Sequence, residues 1–220
     1  MTVSPLGTWA GDIKFKDING DGLVNASDRQ IIANPWPKFT YGFNNAFSYQ
    51  RFDLNIFIIG SVGNQVVNYL KYDNTIPLDN SGVYANYFKE VSNFARPSSL
   101  NVADAQTVTL TNPGYNIPRI APGDPNGNNR LNQWDVESGT YLRVKNVTLS
   151  YTVPGRAFGN APIRGLRLGV SAQNLFTITK YSGYDPEIGM VNYGGVNMVG
   201  VDTGRYPNTR MYTFNVSADF

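Results

Sequence analysis

Beyond Lys38 the chain alternates apolar and polar side chains. In Lys38–Gln50, KFTYGFNNAFSYQ, residues Phe39, Tyr41, Phe43, Phe47 and Tyr49 share one parity, while Thr40, Gly42, Asn44, Ser48 and Gln50 share the other. Successive side chains of a strand point to opposite faces, so this spacing predicts one aromatic and one polar face. Arg51–Ser61 continues directly, with Phe52, Leu54, Ile56 and Ile58 opposite Arg51, Asp53 and Asn55. The junction Gln50-Arg51 is as short as a tight hairpin requires. Three more segments behave alike. Val147, Leu149, Tyr151 and Val153 oppose Asn146, Thr148, Ser150 and Thr152; Leu166, Leu168, Val170 and Ala172 oppose Arg167, Gly169, Ser171 and Gln173; Tyr212, Phe214, Val216, Ala218 and Phe220 oppose Thr213, Asn215, Ser217 and Asp219. Leu142 and Val144 have the wrong parity for Val147 and Tyr151, which calls for a one-residue bulge or a change of environment between them and leaves the face of Arg143 open.

Alternation alone fits any half-buried antiparallel sheet. Three details point further. The apolar face carries aromatics at both ends of the first strand, as lipid-facing barrels do; the opposite face stays polar along long strands; and short connections (50–51, 154–165) alternate with long ones (62–139, 181–211). The pattern leaves a membrane-barrel segment and a soluble sandwich both open. Phe220, an aromatic terminal residue in strict parity with its strand, looks like the assembly signal of outer-membrane proteins.

Composition narrows the chemistry. The 220 residues include no Cys and no His, which excludes the usual zinc sites, disulfides, thiol nucleophiles and Ser-His-Asp arrangements. The net charge of +2 is too small for a nucleic-acid surface. Charged residues make up 15%, against roughly 25% in ordinary soluble domains. Aromatics at 13% and abundant Asn and Gly favour strands with polar loops. No apolar run is long enough for a membrane helix, and MTVSPLGTWAGD has neither the charged nor the apolar region of a secretory signal.

The most specific motif is Asp17–Asp28, D-I-N-G-D-G-L-V-N-A-S-D. Against the calcium-loop template, Asp17, Asn19 and Asp21 take positions 1, 3 and 5, Gly22 the turn at 6, Leu23 a backbone carbonyl at 7, Asn25 position 9 and Asp28 position 12. A hard cation needs six to eight oxygens on a tight loop, which this spacing supplies. Position 12 is Asp rather than Glu, as in dockerin-type modules; the entering segment reads as extended, and Ser27–Ile32 as one helical turn. The predicted cofactor is structural Ca2+, clamping a loop whose ordering costs backbone entropy; the competing reading is a polar turn without metal. Other constellations carry less. Asp185, Glu187 and Asp202 resemble paired glycosidase carboxylates only superficially and read better as loop residues. Trp36, Tyr69, Tyr72, Tyr84, Tyr87 and Trp134 are loop aromatics that stack on substrate or pack loops together; no catalytic residue is assigned.

Gly11–Asn64, Ser138–Pro154, Leu166–Gly189 and Tyr206–Phe220 together resemble the C-terminal part of SusC/RagA-type TonB-linked outer-membrane proteins. The motifs that carry the resemblance are the Asp/Asn/Gly loop, Asn34–Phe43, Tyr141–Val147, Ser171–Phe176 and Tyr184-Asp185-Pro186-Glu187. The resemblance implies an all-β fold: a segment of about five antiparallel C-terminal strands from a plugged transmembrane β-barrel of about 22 strands, with long extracellular loops. Residues 1–37 become an extracellular loop with the calcium motif, and 38–220 the barrel strands with loops 62–139 and 181–211. The strands then run down, up, down, up, down, with the C-terminus periplasmic. The family imports glycans or peptides with a SusD-like surface lipoprotein and the TonB system. Nothing in this chain matches the family's plug or TonB box. Five strands cannot close a barrel, and open edges are not tolerated in lipid, so a larger protein or partner chains must complete it. The reading is a TonB-dependent importer of the outer membrane and not an enzyme; the alternative is a soluble, calcium-stabilised, carbohydrate-binding β-sandwich. The two part at the apolar face, which lipid leaves bare of protein and a sandwich buries.

Overall fold

In a computed structural model, which describes residues 8–76, 86–159 and 162–220, the alternating segments become neighbouring antiparallel strands. The strands are β1 (Phe39–Tyr49), β2 (Phe52–Val62), β3 (Gln65–Asn68), β4 (Val136–Ser138), β5 (Tyr141–Val153), β6 (Gly165–Thr179), β7 (Met190–Tyr193), β8 (Val196–Val199), β9 (Val201–Asp202) and β10 (Met211–Asp219). Among the described residues one α-helix, α1 (Tyr69–Thr75), joins them. Among the described residues no helix is long and apolar enough to cross a membrane. Contacts divide the chain into two units: residues Asn34–Val67 with Glu137–Phe220, and Met1–Ala33 with Asn68–Val136.

The first of these units is built on a five-stranded sheet in the order β1-β2-β5-β6-β10, every neighbouring pair antiparallel. Tyr49 pairs with Phe52, so Gln50-Arg51 is the two-residue hairpin loop the sequence predicts, with Gln50 held at φ 53°. Residues paired directly across a ladder lie on the same face. Following the register from Phe43 to Ile58, Ile58 to Val144, Leu149 to Val170 and Val170 to Phe214 traces one continuous apolar face. Thr148, Ser171 and Thr213 run across the other. Much of the apolar face is bare, with Phe43 60% exposed, Ile178 62% and Phe214 81%, while Val144 is buried.

The parity conflict in β5 is resolved by a bulge. Val144 pairs with Phe176 and Asn146 with Gln173, leaving Lys145 unpaired opposite Asn174-Leu175. Asn174 takes φ 50°, the left-handed region that Asn tolerates better than most residues. The irregularity keeps Leu142, Val144 and Val147 on the apolar face and places Arg143 on the polar one, opposite Ile59 and Thr177. The long connections are more ordered than the sequence predicts. Residues 62–139 hold β3, α1, three short 3-10 turns and β4, and residues 181–211 hold the β7–β8 hairpin and β9. Strands β4, β3 and β9 form a small sheet of their own, where Val66 is buried.

The other unit relies on polar networks around a small core of Trp9, Ile76, Ala95 and Ile117. Asp12 and Arg119 make a fully buried bidentate pair, Nε to Oδ1 at 2.9 Å and Nη2 to Oδ2 at 2.8 Å. Asn128 completes it: its Nδ2 donates to Asp12 Oδ1 and to the Arg119 carbonyl, and its Oδ1 accepts the Ile13 N–H. Buried ions of this kind persist only when their remaining hydrogen-bond capacity is filled. Gly11, at φ +92°, lets the backbone press against Ala95, where a Cβ would lie 2.7 Å from the alanine methyl. The helical turn expected over Ser27–Ile32 is shorter and earlier: a 3-10 turn spans Ala26–Asp28, and Ile31 is 94% exposed. An isolated turn with no apolar face to bury gains nothing by lengthening.

Candidate functional site

The loop Asp17–Asp28 is closed by its own carboxylates. Asp17 accepts the Gly20 and Gly22 N–H groups at 2.7 and 2.8 Å, and Asp21 accepts that of Leu23 at 2.8 Å. Asn19 accepts the Asp21 N–H at 3.1 Å. Asp28 reaches back to Ile18 N–H and forward to Asn25 N–H, both at 2.7 Å, while Asn25 caps the 3-10 turn through Ser27 N–H. The backbone N–H groups of Asn25 and Ile18 hold the Asp28 carboxyl below its ordinary value. Gly20 and Gly22 sit at φ +75° and +83°, conformations that glycine adopts without strain. The predicted oxygens thus stand in template order on one tight loop. Among the described residues, no three acidic side chains converge into a ready metal cluster. An ion would have to draw these carboxylates inward from their N–H partners.

Sequence reasoning left Arg143 unplaced, and the structure makes it the hub of a second cluster. Its Nη2 meets Asp185 Oδ1 and its Nη1 meets Glu187 Oε2, both at 2.5 Å, while Nε donates to Thr177 Oγ1 at 2.8 Å. Asp185 Oδ2 accepts both the backbone N–H and the side-chain Nδ2 of Asn208 at 3.0 Å, and Oδ1 also accepts the Glu187 N–H at 2.9 Å. Burial pushes the Asp185 carboxyl up, but the Asn208 and Glu187 N–H groups and the Arg143 guanidinium outweigh it and hold the group below its ordinary value. Lys145, on the bulge, adds a weaker contact to Glu187 at 3.5 Å. The motif Tyr184-Asp185-Pro186-Glu187 is therefore the point where the loop after β6 is fastened to the polar face of the sheet. Nearby, the Tyr181 hydroxyl donates to the buried Asp202 at 2.7 Å, and burial followed by that carboxylate pushes its phenol up. Asp202 spends its other oxygen on the Gly204 and Arg205 N–H groups. Asp185 and Glu187 are bound to the same guanidinium and Asp202 is closed by a loop, so the three do not form a hydrolytic pair around open space.

Tyr69 and Tyr72, on α1, meet at a tilt of 39° with 4.9 Å between centroids, and Lys71 lies 4.4 Å over the Trp134 ring while donating to its carbonyl at 2.7 Å. Trp36, in the other unit, is 67% exposed beside the Asn34 turn. Tyr87 is 37% exposed, and Tyr84 lies outside the described residues. A shallow hollow of about 280 Å³, missed by the sequence, is lined by Phe94, Pro97, Leu100, Ile120 and Pro122 with Arg96 at its wall. Its residues lie in the segment where apolar side chains show no periodicity, so no pattern announced it.

Comparison with known proteins follows the same lines. No family model matches the chain. It is 34% identical over 212 residues to TonB-dependent receptor P3 of Formosa agariphila, covering 94% of this chain and 19% of that protein. With TonB-dependent receptor SusC of Bacteroides thetaiotaomicron the identity is 24%, over 94% of this chain and 17% of the relative. Among solved structures, the RagAB peptide transporter shares the fold at a TM-score of 0.63 and 24% identity, over 88% of this chain and 19% of that one. The open-open state of the RagAB peptide importer matches at 0.64 and 23%, over 90% of this chain and 19% of that one. The chain spans about a fifth of the length of the curated relatives it matches. Sequence and fold agree, and the chain belongs to the SusC/RagA family of TonB-linked outer-membrane proteins.

Proposed function

We propose that this chain is five strands from the wall of a TonB-dependent outer-membrane importer, with β1 and β10 pairing to further strands of the same barrel. The observation that carries this reading is the sheet itself: a largely apolar face, broken by Asn45, whose side chains are mostly exposed, a polar face behind it, and, among the described residues, unpaired outer edges on β1 and β10. In lipid the apolar face is solvated, the edges are closed by neighbouring strands, and the polar face lines the lumen. A sandwich would cover that face with a second sheet. The hairpin at Gln50-Arg51 and the connection 154–164 then lie on the periplasmic side with the C-terminus, and Phe220 serves as the assembly signal. Asp17–Asp28 and the connections 62–139 and 181–211 lie outside the cell, where a SusD-like lipoprotein closes over the substrate. The importer acts by binding and translocation, without chemistry of its own. Its substrate is a glycan or a peptide, and the peptide-transporting RagAB complex favours the second. Trp36, Tyr69, Tyr72 and Trp134 are the aromatic candidates for substrate contact.

The deciding experiment fractionates cells that make the native protein and blots with an antibody against residues 64–139. The expected result is a heat-modifiable band in the outer membrane, several times heavier than 24.3 kDa. A soluble band near 24.3 kDa overturns the importer and restores the sandwich.

The loop Asp17–Asp28 takes Ca2+ through Asp17, Asn19, Asp21, the Leu23 carbonyl, Asn25 and Asp28, and the ion rigidifies the segment ahead of Asn34. Asp21→Ala should raise protease cleavage between residues 17 and 33 to the level seen in EDTA and leave the strands intact. Cleavage that ignores calcium in the unmodified protein reduces the loop to a hydrogen-bonded turn.

A further inference from the structure

Residues 124–135, D-P-N-G-N-N-R-L-N-Q-W-D, repeat the lettering of the first loop. Asp124, Asn126, Gly127, Asn132 and Asp135 stand where Asp17, Asn19, Gly20, Asn25 and Asp28 stand. Much of the geometry repeats as well, although position 6 is Asn129 rather than a glycine of positive φ. Each loop ends in a three-residue 3-10 turn with a reciprocal capping box, Asn132 with Asp135 in one and Asn25 with Asp28 in the other. The Asn132 N–H donates to Asp135 at 3.0 Å as that of Asn25 does to Asp28 at 2.7 Å. In both, the first carboxylate spends its oxygens on N–H groups further round the loop: Asp124 on Asn128 and Asn129, Asp17 on Gly20 and Gly22.

The two loops differ at position 7. Position 7 of the first is Leu23, 66% exposed. Position 7 of the second is Arg130. Its side chain folds back over its own loop: Nη2 donates to the Asn126 carbonyl at 2.6 Å and Nε to that of Gly127 at 3.2 Å. The fold-back needs a glycine, since a Cβ on Gly127 would lie 2.6 Å from Arg130 Nε. The guanidinium also lies over the Phe15 ring, 4.1 Å from its centroid and two residues ahead of the first loop. The side chains at positions 3 and 5 are also committed, because Asn126 Nδ2 donates to the Ile13 carbonyl and to Asn128, and Asn128 to Asp12.

We infer that Asp124–Asp135 is a second loop of the same type whose cation is built in: the Arg130 guanidinium ties down two of its backbone carbonyls and orders it, so that it holds its shape without metal. A guanidinium suits this role because it donates in a rigid fork and keeps its charge at every relevant pH. The second loop, with Phe15 and the Asp12–Arg119 pair, is then a fixed anchor from which the first loop is hung. The contrast between the loops rests on the calcium reading of Asp17–Asp28; the role of Arg130 does not.

The test is hydrogen exchange on the intact receptor in detergent, in Ca2+ and in EDTA, for the unmodified protein, Arg130→Met and Arg130→Lys. The expected result is that EDTA leaves exchange across 124–135 unchanged, that Arg130→Met raises it about tenfold in either buffer, and that Arg130→Lys falls between. If EDTA alone raises exchange across 124–135, or if Arg130→Met leaves it unmoved, the built-in cation is refuted. Terbium luminescence excited through Trp134, and abolished by Trp134→Phe, refutes it equally, because the loop would then hold a metal. Exchange across 17–28 that ignores EDTA removes only the calcium reading of the first loop. The unmodified-protein arms stand even if a variant fails to assemble.

Discussion

Arg143 shows how much one residue decides. Its side chain is 3% exposed and satisfied by two carboxylates and a threonine hydroxyl. Removing one partner of a buried ion pair is costly because the other is left charged in a dry place. Arg143→Met should therefore loosen the loop 181–211 by about 3 kcal/mol, the low end of the usual range, because Asp185 keeps its three N–H bonds. Local hydrogen exchange across 181–211 reads this directly, with the strands unchanged. The pH dependence has a definite sign. The Asp185 carboxyl is held below its ordinary 3.8, so its contribution is fully present above pH 3.8 and fades only as pH falls through the lower value. Loop exchange, corrected for intrinsic rates, should be flat from pH 5 to 8 and rise only in strong acid. A rise already at pH 5 contradicts the assignment. The exposed pair Asp53–Arg167, on the same polar face, is 44% and 53% exposed, and removing it should cost under about 1 kcal/mol.

The strands were legible because burial on one face of a strand leaves a period of two in the sequence. Even the defect in β5 was visible as a parity conflict between Val144 and Val147. Which face Arg143 takes was not, because a bulge and a shift of environment leave the same letters. Gly60 carries another constraint that spacing hides. It pairs with Tyr41 on the apolar face, and a Cβ there would run into the Tyr41 ring and lie 2.6 Å from the Tyr141 carbonyl. Gly60→Ala should destabilise the β1–β2–β5 ladder by about 1–3 kcal/mol, as overpacking does, measured as a lowered urea midpoint. An unchanged midpoint would mean that Tyr41 swings aside without cost. The turns of residues 86–136 went unread for a different reason. They are ordered by side-chain bonds between distant residues, such as Asp12 to Arg119, which leave no local period.

At the scale of the whole molecule, the two faces of the sheet should respond oppositely to charge. Phe214→Lys places an ammonium on the apolar face and should cost about 2–4 kcal/mol if that face meets the middle of a bilayer. Asn215→Lys, one residue on and facing the other way, should stay within about 0.5 kcal/mol. The readout is the fraction of heat-modifiable receptor in the outer membrane. Equal losses from both variants would deny that lipid covers the apolar face.

The sequence by itself determined the five strands, their two chemical faces, the hairpin at Gln50-Arg51 and the Asp17–Asp28 loop, because each is written in local spacing: a period of two, a tight turn, oxygens at fixed offsets. Tertiary structure alone decided the side on which Arg143 stands, the fastening of Asp185 and Glu187 to it, and the buried Asp12–Arg119 pair. It also closed the second loop over Arg130. These depend on register and on contacts between residues far apart in the chain, and such contacts form only when the free energy of the whole fold holds the distant partners together.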